Sequence, residues 1–123
     1  MTLELARIAA RAASSKTLEE TVLLDVGELV GITEHFVITG GRNDRQVKAV
    51  VDEVSRQLRE AAGGAPRRVE GLPAAQWVLL DYGDFVVHVF SSEAREYYSL
   101  ERLWSDAPRL EFDELTAERA VTR

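Results

Sequence analysis

The chain has 123 residues, enough for one ordinary domain, and its 46% hydrophobic and 29% charged residues are usual for a globular fold. It has no cysteine, which excludes disulfides and thiolate chemistry, and its net charge of −6 argues against a generally basic, nucleic-acid-binding surface. No stretch approaches the roughly 18 apolar residues of a membrane span, and the N-terminus lacks the pattern of a secretory signal, so the expected compartment is the cytoplasm.

Residues 3–13 place Leu5, Ile8, Ala9 and Ala12 at helical spacing. The stripe is thin and alanine-rich, which suits a helix lying close to another element. Thr21–Val26 and His35–Thr39 read as strands. They are close in sequence and are expected to be antiparallel neighbours, joined through a bend or short turn at Gly27–Thr33.

Gly40-Gly41 ends the second strand, and Asn43 opens the strongest helix. Asn43 with Gln46 forms a capping-box pattern, and Val47, Val50, Val51, Val54, Leu58 and Ala61 share one face. Asp52 and Arg56 are expected to pair on the other side. Gly63-Gly64 ends the helix. Pro66–Glu70 reads as a short edge strand or a loop.

Trp77–Tyr82 and Phe85–Phe90 are apolar runs separated by Gly83-Asp84, a hairpin signal. A loop of just those two residues sets Leu79 opposite His88 and Trp77 opposite Phe90. Side chains alternate across a strand, so Val78, Leu80, Tyr82, Phe85, Val87 and Val89 then form a core face. Trp77, Leu79, Asp81, Val86, His88 and Phe90 form the other. That second face mixes apolar bulk with an acid and an imidazole, as a docking surface would. After the hairpin, Ser91 or Ser92 caps a helix over Glu93–Tyr98, and Leu100–Trp104 continues as a second short helix. Residues 1–108 make one domain; 109–123 read as a mobile charged tail, with Leu110, Phe112 and Leu115 available as anchors. The predicted architecture is α/β, a mixed sheet of four to five strands packed with helices.

The chemical candidates are few. Asp81, Asp84 and His88 do not have the convergent spacing of a metal or acid–base site, and a turn acid and a sheet histidine explain them. Gly40-Gly41-Arg42-Asn43 precedes a helix N-terminus, where anions bind, yet no phosphate-loop motif is present and a turn with a cap accounts for it. His35 and His88 lie on different strands, and neither has a catalytic motif around it. No cofactor is expected. The competing class is a nucleotide-binding or nucleotidyltransferase-like enzyme using Gly40-Gly41 and Asp25. A dimeric scaffold for an unrelated partner is a third.

One run narrows these classes. Asp81-Tyr82-Gly83-Asp84, Val86-Val87-His88-Val89-Phe90, Glu93, Arg95, Tyr97-Tyr98, Leu100-Glu101, Leu103-Trp104 and Asp106-Ala107-Pro108 closely resemble the ribosomal silencing factor (RsfS, or Iojap-like) family. Asp25-Val26, Phe36-Val37-Ile38-Thr39, Asn43, Gln46-Val47, Gly71 and Trp77 fit the same pattern, so the resemblance covers about residues 3–110. Phe85, often a smaller apolar residue in the family, is a departure.

The resemblance implies a fold similar to nucleotidyltransferases without their catalytic carboxylates, and no enzymatic activity. It implies binding to the large ribosomal subunit through its protein uL-fourteen, interference with small-subunit joining, repression of translation, a link to large-subunit biogenesis, and homodimers. An acidic chain with an aromatic–acidic face suits a basic ribosomal protein. The expected contact is Trp77, Asp81, Tyr82, Asp84 and His88, flanked by Tyr98 and Glu101.

Overall fold

A computed structural model describes residues 2–61, 64–98 and 105–112. In chain order the elements are α1 (Thr2–Ser14), β1 (Val22–Asp25), α2 (Gly27–Val30), β2 (His35–Gly41) and α3 (Asp44–Glu60). They continue as β3 (Arg68–Glu70), β4 (Trp77–Asp81), β5 (Phe85–Ser91), α4 (Ser92–Tyr98) and β6 (Arg109–Leu110). None of the described helices is long and apolar enough to cross a membrane.

The strands form one six-stranded mixed sheet in the order β3-β4-β5-β2-β1-β6. β2 and β5 are parallel at its centre; the other pairs are antiparallel. The sheet exceeds the expected four or five strands because β6 pairs with β1, at Leu23 with Leu110 and Leu24 with Arg109. These residues open the segment expected as a tail. Leu110 and Phe112 also pack against the core, and the Glu111 carbonyl accepts from Arg7 Nε at 3.0 Å. Leu115 and the proposed helix over Leu100–Trp104 lie outside the described residues.

The hairpin has the register that its two-residue loop requires. Trp77 faces Phe90, Leu79 faces His88, and Tyr82 N–H donates to the Phe85 carbonyl at 3.0 Å. Gly83 takes φ +91° at the first central position, as a type II′ turn demands. The Asp84 carbonyl accepts from Glu34 N at 2.8 Å and His35 N at 3.3 Å, which ties the turn to the start of β2.

Helices α1 and α3 cover one face of the sheet. Ala6, Ala9, Ala10 and Ala13 are fully buried, and their small side chains let α1 lie close to α3 and β2. Val47, Val50, Val54 and Leu58 of α3 meet Val78, Leu80, Val87 and Val89 of the hairpin. Full burial of each such side chain stabilises the fold by about 1.5–3 kcal/mol. Ala61 caps the helix and is half-buried.

Three local details refine the sequence reading. The bend or short turn expected at Gly27–Thr33 is one helical turn over Gly27–Val30, closed by Gly31 at φ +83°. Asn43 Oδ1 accepts from Gln46 N at 2.8 Å as predicted, but the Gln46 side chain reaches back to Arg42 N at 2.9 Å and not to Asn43 N. Arg56 bonds Glu53 at 2.7 Å and Glu60 at 2.9 Å in place of Asp52. Those glutamates lie within a helical turn and give the guanidinium two partners instead of one.

Candidate partner-binding face

The second face of the sheet is covered unevenly. α4 and Ala107 lie over the side made by β1, β2 and the end of β5, closing a cluster of Val22, Leu24, Val26, Ile38 and Phe90. Toward the β3 edge, Trp77 is 41% exposed. Its indole stacks on Phe90 with ring centres 5.0 Å apart. Gly71 makes this position possible. At φ +82°, a Cβ added there would lie 2.1 Å from the Trp77 carbonyl oxygen.

Trp77 Nε1–H donates to His88 Nδ1 at 3.2 Å. His88 is only 8% exposed and meets Phe36 edge-on, with ring centres 4.5 Å apart. Burial disfavours its charged form and pushes its pKa down to about 4. With Nδ1 accepting, the neutral ring carries its proton on Nε2. Nε2 is buried and makes no hydrogen bond.

Of the residues expected to form the contact, Trp77, Asp81 and His88 share this face. Asp81 is already engaged: one carboxylate oxygen accepts from Gly83 N at 2.8 Å, and the other lies 3.6 Å from Arg68 Nη2. Asp84 is exposed at the adjacent turn. Tyr82 points to the opposite face, where its ring stacks on Phe85 at 4.9 Å, and burial raises the pKa of its hydroxyl. The Tyr98 side chain and Glu101 lie outside the described residues. Neighbouring Tyr97 is 80% exposed.

The site also contains residues that periodicity did not single out. A pocket of about 400 Å3 opens beside His88, walled by Phe36, Leu79 and Val86 and rimmed by Ile32, Thr33 and Arg67. Ile32 is 87% exposed, an apolar residue in a glycine-bounded loop, and that mismatch was its only signal in the sequence. Asp81, Asp84 and His88 do not converge into a metal site, and no cluster of three metal-ligating side chains occurs among the described residues. Gly40 and Gly41 serve close packing. A Cβ on Gly40 would sit 2.8 Å from the Phe90 carbonyl, and one on Gly41 would sit 2.7 Å from Val47 N.

The fold coincides with a known pattern. The family model described as ribosomal silencing factor during starvation matches residues 1–123. The chain belongs to the ribosomal silencing factor family. It is 41% identical over 107 residues to ribosomal silencing factor RsfS of Bacillus subtilis, covering 87% of this chain and 90% of the relative. A crystal structure of a Chromobacterium violaceum protein superposes with a TM-score of 0.79 at 30% identity, covering 98% of each chain. A more distant relative is the mouse mitochondrial assembly of ribosomal large subunit protein 1, 32% identical over 75 residues, covering 59% of this chain and 33% of that one.

Proposed function

We infer that this chain binds the large ribosomal subunit and silences it. The family match over the whole chain carries this reading, and the name of the mouse relative points to the same subunit. The finer proposal is that the partner on the subunit is ribosomal protein uL-fourteen, met by the sheet face around Trp77. A half-exposed tryptophan stacked on a buried phenylalanine has the form of an interface anchor: rigid, large and already partly desolvated. Acidic Asp84 at its edge and the net charge of −6 favour a basic partner.

A factor seated where the subunits meet would block joining by occupying the space, with no catalytic step. Binding the same surface during biogenesis would tie the chain to late large-subunit assembly. Action in the cytoplasm and self-association as a homodimer belong to this proposal too.

Sedimentation with purified large subunits, followed by addition of small subunits, tests the reading. Co-sedimentation with the large subunit and fewer joined ribosomes is the expected result. Absence of binding at low salt, where charge attraction is strongest, would remove the function.

A further inference from the structure

His88 sits at a crossing point of the sheet. On β5 it lies between Leu79 of β4 and Ile38 of β2. Its ring meets Phe36 edge-on at 4.5 Å and lies nearly parallel to Phe90 at 6.2 Å. A phenylalanine would suit such surroundings. The imidazole instead leaves Nε2 buried without a hydrogen bond, and an unmet buried donor costs stability. What the imidazole has and a phenyl ring lacks is Nδ1, which accepts the Trp77 Nε1–H bond at 3.2 Å.

That bond supplies what stacking alone does not. Trp77 is the first residue of β4 and follows the loop that turns at Gly71. Its indole lies on Phe90 with the ring planes 28° apart. Stacked rings can slide or flip over and keep much of their contact. A hydrogen bond is directional, so only one edge of the indole can meet Nδ1. Burial keeps His88 neutral, with a pKa of about 4, and Nδ1 therefore retains its lone pair at neutral pH. Neither ring nitrogen is left for a partner: Nδ1 is taken by the indole, and Nε2 is shut off from the surface.

We propose that His88 is a positioning residue for the partner contact: through Nδ1 it sets which edge and orientation of the Trp77 indole lies on Phe90, and it touches no partner atom itself. This rests on the reading that the Trp77 face meets the large subunit. An indole ordered in advance loses less freedom on binding, which is where the gain in affinity arises.

The test combines stability, NMR and sedimentation with large subunits. His88→Phe keeps a ring and removes both nitrogens. It is expected to be at least as stable as the native chain in thermal unfolding at neutral pH. It should nevertheless bind large subunits about three- to tenfold more weakly, the scale of ordering one side chain on binding. The chain has two tryptophans, so Trp77→Phe assigns the Trp77 indole N–H signal by its loss. In His88→Phe that signal should move and its exchange with water should quicken. In the Trp77→Phe background, where the indole N–H is already gone, His88→Phe should leave affinity unchanged. His88→Asn places an amide oxygen on the same Cγ that carries Nδ1, and part of the affinity should return.

Equal losses in both backgrounds would overturn the proposal, because His88 would then act on the partner or the fold directly. So would full binding by His88→Phe, an indole signal that does not move, a marked loss of stability in His88→Phe, or no recovery in folded His88→Asn. A native chain that fails to sediment with large subunits removes the ribosome reading and this proposal with it. Native binding that His88→Phe leaves intact removes this proposal alone.

Discussion

Trp77 and His88 are joined diagonally across the β4–β5 hairpin by a 3.2 Å hydrogen bond from the indole Nε1 to the imidazole Nδ1. The contact orients a half-exposed aromatic and defines the tautomer of a buried histidine. It therefore links the proposed partner surface to the adjacent pocket.

Removing the indole tests the surface. Trp77→Ala is expected to weaken large-subunit binding by about 2 kcal/mol or more, on the usual scale for a central aromatic anchor. Trp77→Phe keeps the stacking on Phe90 but loses the bond to His88, so its loss should be smaller. Asp84→Ala, at the turn, should cost about 1–2 kcal/mol if it meets a basic partner. Affinity is measured by sedimentation at fixed salt, with circular dichroism to confirm that each variant is folded. Full binding by Trp77→Ala would place the contact elsewhere.

The burial of His88 makes stability depend on pH. Its folded pKa of about 4 lies below the ordinary 6.5, so the unfolded chain takes up a proton first as pH falls. The histidine's contribution is whole above about pH 6.5 and is lost progressively as pH drops toward 4, amounting to about 3 kcal/mol in total. Urea unfolding at several pH values reads this out. His88→Gln should flatten the slope in that window.

Gly71 is expected to tolerate no side chain. In Gly71→Ala the new Cβ meets the Trp77 carbonyl at 2.1 Å and the backbone is held at φ +82°. The strained conformation alone costs about 1–3 kcal/mol, and relief of the clash must move β4. Thermal unfolding should show the loss of stability. Ribosome binding should weaken further than that loss explains, because Trp77 moves with the strand.

Leu58→Ala provides the contrast. Leu58 is fully buried on α3, on the opposite side of the sheet from Trp77. Its truncation should destabilise the fold by about 2–5 kcal/mol in chemical denaturation and leave subunit affinity unchanged under conditions where the variant stays folded.

The amino-acid sequence by itself determined the elements whose information is local. The alternation from Trp77 to Phe90 and a two-residue Gly83-Asp84 loop pointed to the observed register, in which a slip of one residue would have turned Phe85, Val87 and Val89 out of the core. The valine stripe and the Asn43 cap dictated α3 in the same way. Alternation also assigned Trp77, Asp81 and His88 to one face and Tyr82 to the other. What it did not determine was set by contacts between remote segments. The parallel pairing of β2 with β5, the docking of Arg109–Leu110 on β1, and the packing of α4 over Phe90 and Ile38 all depend on which surfaces meet after the elements form. Arg56 chose Glu53 and Glu60 over Asp52 because surface pairs within reach differ by only a few tenths of a kcal/mol. The pocket was least legible. Thr33, Arg67 and His88 come from three separate segments, and only the packing of the α2–β2 loop against the hairpin brings them around one cavity.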